Sequence, residues 1–231
     1  ARSAPDGYTI MLANTGVMVI NGALYNKLPY NTLKDFVPIA RSAQQPLALL
    51  VNNNVPAKNL KEFRDYATKN PGKSNYGSAG NGGISHLVHE MFKNATGLFM
   101  VHIPYRGSAP AFTDLMGGQV QFMAESLPQA ASYHKQGKVR ALAVTSRERN
   151  PALPDIPTGL DSGLKDFEVV GFYGFLAPAG TPPDVVAKLS DAFKQVLTNP
   201  EVRNRMVSQG ADPAFLDSAG FAKFLEAATP R

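Results

Sequence analysis

Between Asn75 and Phe92 the chain reads NYGSAGNGGISHLVHEMF, and the positions from Gly77 to Ile84 hold four glycines together with Ser78, Ala79 and Asn81. Small side chains let a backbone approach a ligand closely, and glycine accepts the φ > 0 turns that such a loop needs. Each chemistry that uses loops of this kind has its own signature. A triphosphate loop needs G-x-x-x-x-G-K-[ST]; Gly77 and Gly82 match its glycine spacing, but Gly83 and Ile84 stand where Lys and a hydroxyl belong. A dinucleotide turn G-x-G-x-x-G starting at Gly80 and Gly82 meets Ser85 in place of its third glycine. A nucleophile elbow centred on Ser78 would need glycine where Tyr76 stands, and no histidine follows in a matching motif. The order His86, His89, Glu90 matches neither H-E-x-x-H nor H-x-x-E-H, so no metal site is expected.

An uncharged anion nest fits these residues. Backbone N–H groups from Ser78 to Gly83, through Ala79, Gly80, Asn81 and Gly82, would converge on a small ligand, with Ser78, Asn81 and Ser85 adding neutral donors. The alternative is a tight strand–helix turn with Ser85 as N-cap and no ligand.

The surrounding pattern supplies the elements that would hold such a loop. Tyr8–Asn14 and Pro46–Asn52 are short apolar runs that read as buried strands, and the stretch between them reads as one or two short helices broken by prolines. Leu60, Phe63, Tyr66 and Ala67 recur at helical spacing. SNYGSAG reads as a strand entering the loop, with Leu87, Val88, Met91 and Phe92 on one face of the helix that follows. FMVHIPY, QVQFMAES, RALAVTS and FEVVGFYGFLAP read as strands. SAPAFTDLMGG, LPQAASYHKQG and PEVRNRMVSQG read as helices, the first of them capped by Ser108. Thr181 as N-cap and Pro182 at the first turn mark a further helix start. Strands alternating with helices predict an α/β fold with mainly parallel sheets, which puts helix N-termini at the carboxyl edge of a sheet.

Composition narrows the class. The 231 residues carry 44% hydrophobic and 18% charged side chains, with no cysteine and no tryptophan. Disulfides, thiolate zinc sites and cysteine nucleophiles are therefore excluded. The net charge of +5 is scattered, its densest group being Arg147 and Arg149, without interleaved aromatics. That arrangement argues against nucleic acid and suits a field favouring small anions. No apolar run reaches the length of a membrane span.

Seven stretches in fixed order, APDGYTIML, ALYNKLPYNTLKDFVPIA, NYGSAGNGGISHL, VHIPYRGSAPAFTDLMGGQV, VRALAVTS, PALPDIPT and GFYGFLAPAGTPPDVVAKLSDAF, together resemble the Bug family. These are the extracytoplasmic solute-binding receptors of tripartite tricarboxylate transporters. The resemblance implies a type II periplasmic binding protein fold, α/β, with two lobes, a ligand cleft and two crossovers. Residues 1–52 and 168–231 would form the first lobe and residues 53–167 the second. It also implies a periplasmic location, a signal peptide in the precursor, membrane transporter subunits as partners, no cofactor, and a monomer. Members begin with a strand, a PGG loop, a helix and a second strand before PDGYT. Against that pattern, the resemblance implies a first lobe that is incomplete in this chain and a last helix that lacks its end.

By the same resemblance, Thr15 and Gly16 supply a first-lobe hydroxyl and N–H, and the Gly77–Gly83 loop with Ser85 grips a carboxylate. Tyr105 and Gly107 in PYRGS border the site, Arg106 being solvated. QFMAES replaces the usual D-x-M-F-D, so Glu125 and Ser126 alter the polarity of the cleft, and an acid beside an anionic ligand calls for a water bridge or a ligand amine. Phe172 and Tyr173 form an apolar wall. The expected function is capture of a small carboxylate. The alternatives are a serine hydrolase using Ser78, and a sensing or scaffold module on the same fold.

Overall fold

The structure is a computed structural model that describes residues 1–229. In chain order, β1 (Met11–Asn14) is followed by a π-helical turn (Gly16–Ile20), α1 (Asn21–Leu24), β2 (Phe36–Val51), α2 (Leu60–Lys69), β3 (Asn75–Ser78) and α3 (Ile84–Thr96). Next come β4 (Val101–Pro104), α4 (Ser108–Gly117), β5 (Phe122–Ser126), α5 (Leu127–Lys135) and β6 (Arg140–Val144). The chain ends with β7 (Val170–Pro178), α6 (Pro183–Thr198), α7 (Pro200–Ser208), β8 (Asp212–Leu216) and α8 (Ser218–Ala228). It divides into two compact units, one of residues 1–44, 171–207 and, among the described residues, 212–229, the other of residues 45–170 and 208–211. The first division falls inside β2.

In the second unit the sheet order is β6, the later half of β2, β5, β3, β4. β3 pairs in parallel with β4 and with β5, whereas β2 runs antiparallel to β5 and β6. The sheet is therefore mixed rather than mainly parallel, because β2 alone runs against its neighbours. Side chains alternate across the sheet. Leu47, Leu49 and Val51 join Phe63, Tyr76, Phe92 and Phe122 in one apolar cluster. Ala48 and Leu50 join Phe112, Leu115, Met123 and Leu127 in another. Helices cover both faces, which explains why PLALLV is apolar without interruption. Phe63 stacks on Phe122 at 4.5 Å between ring centroids.

In the first unit β1 pairs antiparallel with β7, and β2 pairs antiparallel with β8. Phe172, Leu176, Phe221 and Leu225 build its main apolar cluster with Ala13 and Met18. On the other face of β7, Phe175 stacks on Phe193 at 4.1 Å.

Several expectations need correction. The buried strand Tyr8–Asn14 shrinks to Met11–Asn14, with Tyr8 94% and Leu12 58% exposed. The prolines near residue 38 interrupt no helix; β2 begins at Phe36 and runs through Pro38. Thr181 is not a cap: its hydroxyl donates to the Pro178 carbonyl, Pro182 holds the cap position and Pro183 opens α6. β8 has no counterpart among the expected strands, while α8 is the expected last helix, its cap Asp217 accepting from the Gly220 N–H.

Candidate functional site

The second unit brings the loops after β3, β4 and β5 to one sheet edge. The pairing Ser78↔Pro104 sets Tyr105 level with Ala79. Gly77↔Met123, carried on in the same register, sets Glu125 level with Ala79 from the other side. Backbone bonds lock the loops together: Tyr105 N–H donates to the Ser78 carbonyl at 3.0 Å and Gly107 N–H to the Ala79 carbonyl at 3.1 Å. Positive φ at Gly80 (136°) and Gly107 (105°) makes these turns, and a Cβ on Gly80 would sit 3.3 Å from the Tyr105 carbonyl oxygen. Glycine is required at both positions.

The glycine loop satisfies much of its own donor set. Ala79 N–H donates to Ser85 Oγ, Gly80 N–H to Ser78 Oγ, Gly82 N–H to His86 Nδ1 and Gly83 N–H to the Gly80 carbonyl. The expected nest of converging Ser78–Gly83 N–H groups is thus largely folded in on itself. Ser85 is not the N-cap of α3. That position is held by Gly83, and the buried Ser85 hydroxyl points back to the loop. Asn81 is exposed at the loop tip.

The donors left over lie at the helix starts. The first N–H groups of a helix have no carbonyl partner within it. In α3 these belong to Ile84, Ser85 and His86, since Leu87 N–H already reaches the Gly83 carbonyl. Neither α3, α4 nor α5 has a side-chain cap; Gly83, Gly107 and Ser126 hold the three cap positions. Ser108 therefore opens α4 without capping it. α2 differs. It follows the opposite end of the sheet, because β2 runs against β5, and Asn59 caps it by accepting from Glu62 N–H. Three uncapped N-termini thus face the edge that carries the glycine loop, each with partial positive charge.

Around this edge the expected residues divide. The Tyr105 hydroxyl donates to Asp114 at 2.6 Å, so it faces α4, and burial followed by Asp114 pushes its pKa up to about 12. Arg106 is exposed. Glu125 is 8% exposed; its Oε1 accepts from Ser126 N–H at 2.8 Å.

Histidines were not expected here. Ser78 is buried, and its Oγ lies 2.6 Å from His102 Nε2 on β4. His102 stacks on His86 at 4.0 Å and on Tyr76 at 4.8 Å, and His89 covers the other side of Tyr76 at 4.2 Å. Burial first, and then the neighbouring His86, hold His102 down to about 4. His89 falls to about 3, mainly by burial. Tyr76 donates to Glu90, which also takes Lys93 at 2.9 Å. The base that Ser78 lacked in sequence is present in space. Even so, the hydroxyl is sealed under the loop, bonded to both the N–H and the carbonyl of Gly80.

In the first unit, Thr15 Oγ1 accepts from Phe172 N–H at 2.9 Å, and the buried Gly16 opens the π-helical turn. Phe172 is 3% exposed and meets Phe221 and Phe224 edge to face. It is a core residue rather than an open apolar wall. Tyr173 is half-buried, and its carbonyl accepts from the Ser42 hydroxyl.

This α/β architecture is that of the periplasmic solute-binding proteins. More closely, the chain belongs to the tripartite tricarboxylate transporter receptor family, whose pattern matches residues 1–231. It is 35% identical over 215 residues to a curated relative from Pseudomonas sp. (strain P51), covering 93% of this chain and 64% of the relative. It thus spans under two thirds of that protein's length. The periplasmic binding protein BugD is 36% identical with a TM-score of 0.93, over 99% of this chain and 77% of BugD. An R. palustris protein solved with adipate is 30% identical with a TM-score of 0.95, over 98% and 76% of the two chains. MatC from Rhodopseudomonas palustris with bound malate is 32% identical with a TM-score of 0.88, over 98% and 78%.

Proposed function

We propose that this chain is the extracytoplasmic receptor of a tripartite tricarboxylate-type transporter, capturing a small carboxylate and passing it to the membrane subunits. The observation that carries the reading is the set of three uncapped helix N-termini around a glycine loop with no Lys or Arg of its own. Neutral, oriented N–H groups attract a carboxylate without a fixed cation, which keeps binding reversible. Family membership and the adipate- and malate-bound relatives support the same ligand chemistry. The similarity to BugD, a periplasmic binding protein, supports a periplasmic placement.

The test is a thermal-shift screen against carboxylates running from acetate through malate and adipate to citrate. A ligand that binds only the folded state raises Tm with concentration, by about 2.7 kcal/mol of stability at a hundredfold excess over Kd. One or more acids should do so. Asn81→Asp, an exposed change that puts a negative charge on the loop tip, should weaken that acid about tenfold or more while leaving ligand-free Tm unchanged. A panel without any shift would overturn the receptor reading.

A further inference from the structure

Among the described residues, Glu125 is the one acid that the fold buries beside the glycine loop. Ser126 N–H occupies its Oε1, while Oε2 is buried without a hydrogen-bond partner. Ala48 stands opposite it on β2, and the parallel register sets Ala79 level with it on the other side. The ion pairs among the described residues, Lys61–Asp65, His86–Glu90, Lys93–Glu90 and Arg149–Asp161, all lie elsewhere. A buried carboxylate oxygen without a partner keeps the full cost of losing its water. No hydrogen bond or ion pair among the described residues meets that oxygen, which suits a donor brought by a ligand.

We infer that the ligand carries an ammonium group as well as a carboxylate, and that Glu125 binds the ammonium. The inference rests on the receptor reading above and narrows its substrate class to amino acids. The uncapped helix starts take the ligand carboxylate. A second plain carboxylate near Glu125 would meet like charge in a poorly solvated place. An ammonium brings three donors and the opposite charge. A hydroxyl brings a donor without the charge, so it ranks between the two. Glu125 is in this view a specificity residue, and it selects as much by rejecting simple diacids as by attracting amines.

The experiment is calorimetric titration of the wild-type chain and of Glu125→Gln with matched acids. Aspartate, malate and succinate share a skeleton and differ only in carrying ammonium, hydroxyl or hydrogen; glutamate with glutarate, and the other natural amino acids with their amine-free counterparts, extend the series. Wild type should prefer the amine of its best pair by about tenfold or more, with the hydroxy acid intermediate. Glu125→Gln should erase most of that preference and leave the amine-free acid unchanged or tighter. The wild-type ranking decides the matter alone should the variant not fold. Amine-free acids binding as tightly as their amino partners would overturn the inference and leave the receptor reading standing, as would a preference untouched by Glu125→Gln. No binding by any acid would overturn both.

Discussion

The Ser78 hydroxyl lies 2.6 Å from Nε2 of His102, tying the last residue of β3 to the middle of β4 directly beneath the glycine loop. A neutral imidazole can accept the serine proton; an imidazolium cannot. His86 stacks on His102 at 4.0 Å, and the buried His89 covers Tyr76 beside them.

Stability should therefore fall on acidification. His102 and His89 titrate near 6.5 in the unfolded chain but only at about 4 and about 3 in the folded one. Between those values the unfolded state holds more protons, so stability declines as pH drops from about 6.5 and is insensitive to these groups above it. Tm measured from neutral pH down to about 4.5 should fall less steeply in His102→Gln than in wild type. Parallel slopes would mean that His102 is not held neutral by its surroundings.

Gly174 should tolerate no side chain. A Cβ there would stand 2.4 Å from Phe221 Cζ and 3.1 Å from the Ala40 carbonyl oxygen, and Phe221 is wholly buried. Gly174→Ala should cost about 1–3 kcal/mol by overpacking. Urea unfolding would show it as a lower midpoint, and an unchanged midpoint would mean that Phe221 moves aside freely.

Asn59 should matter to stability and not to ligand. It caps α2 by accepting from Glu62 N–H at 2.9 Å, while Glu62 reaches back to Lys58 N–H at 2.7 Å. Asn59→Ala should cost about 1 kcal/mol. Affinity for any carboxylate found in the screen should match wild type, because α2 starts at the opposite sheet edge. Weakened binding would put the site elsewhere.

Legibility in sequence followed locality. α2 and the strand-loop-helix around Ser78 announced themselves by period and by glycine, because neighbours in sequence decide them. The start of β2 did not: Pro38, Arg41, Ser42, Gln44 and Gln45 interrupt its apolar pattern, and pairing with β7 and β8 reveals the strand. β8 itself contains Pro213 and is half-buried, so neither alternation nor an apolar run marks it. The Ser78–His102 contact joins residues 24 apart across parallel strands, a relation with no spacing signature. Serine near a helix start suggests caps at Ser85 and Ser108, yet glycine holds both cap positions; at Gly107 the φ of 105° is backbone that serine adopts poorly, whereas Gly83 is ordinary extended backbone. Glu125 was noticed as a departure from a family pattern. That one of its oxygens is unpaired could be learned only from the surrounding fold.

The division of the chain also sets an order of assembly. The second unit comes almost entirely from one stretch, residues 45–170, whereas the first draws on three separate pieces. During synthesis the sheet beneath the glycine loop can close as soon as β6 emerges. The first unit must wait for β8, because Arg41 on β2 donates to the Ala214 carbonyl across 173 residues of chain. Such distant closures are entropically costly and slow. Once Val170 has left the ribosome, the edge that carries the glycine loop can already be folded, with β1 and the first half of β2 still unpartnered and in need of protection from other chains.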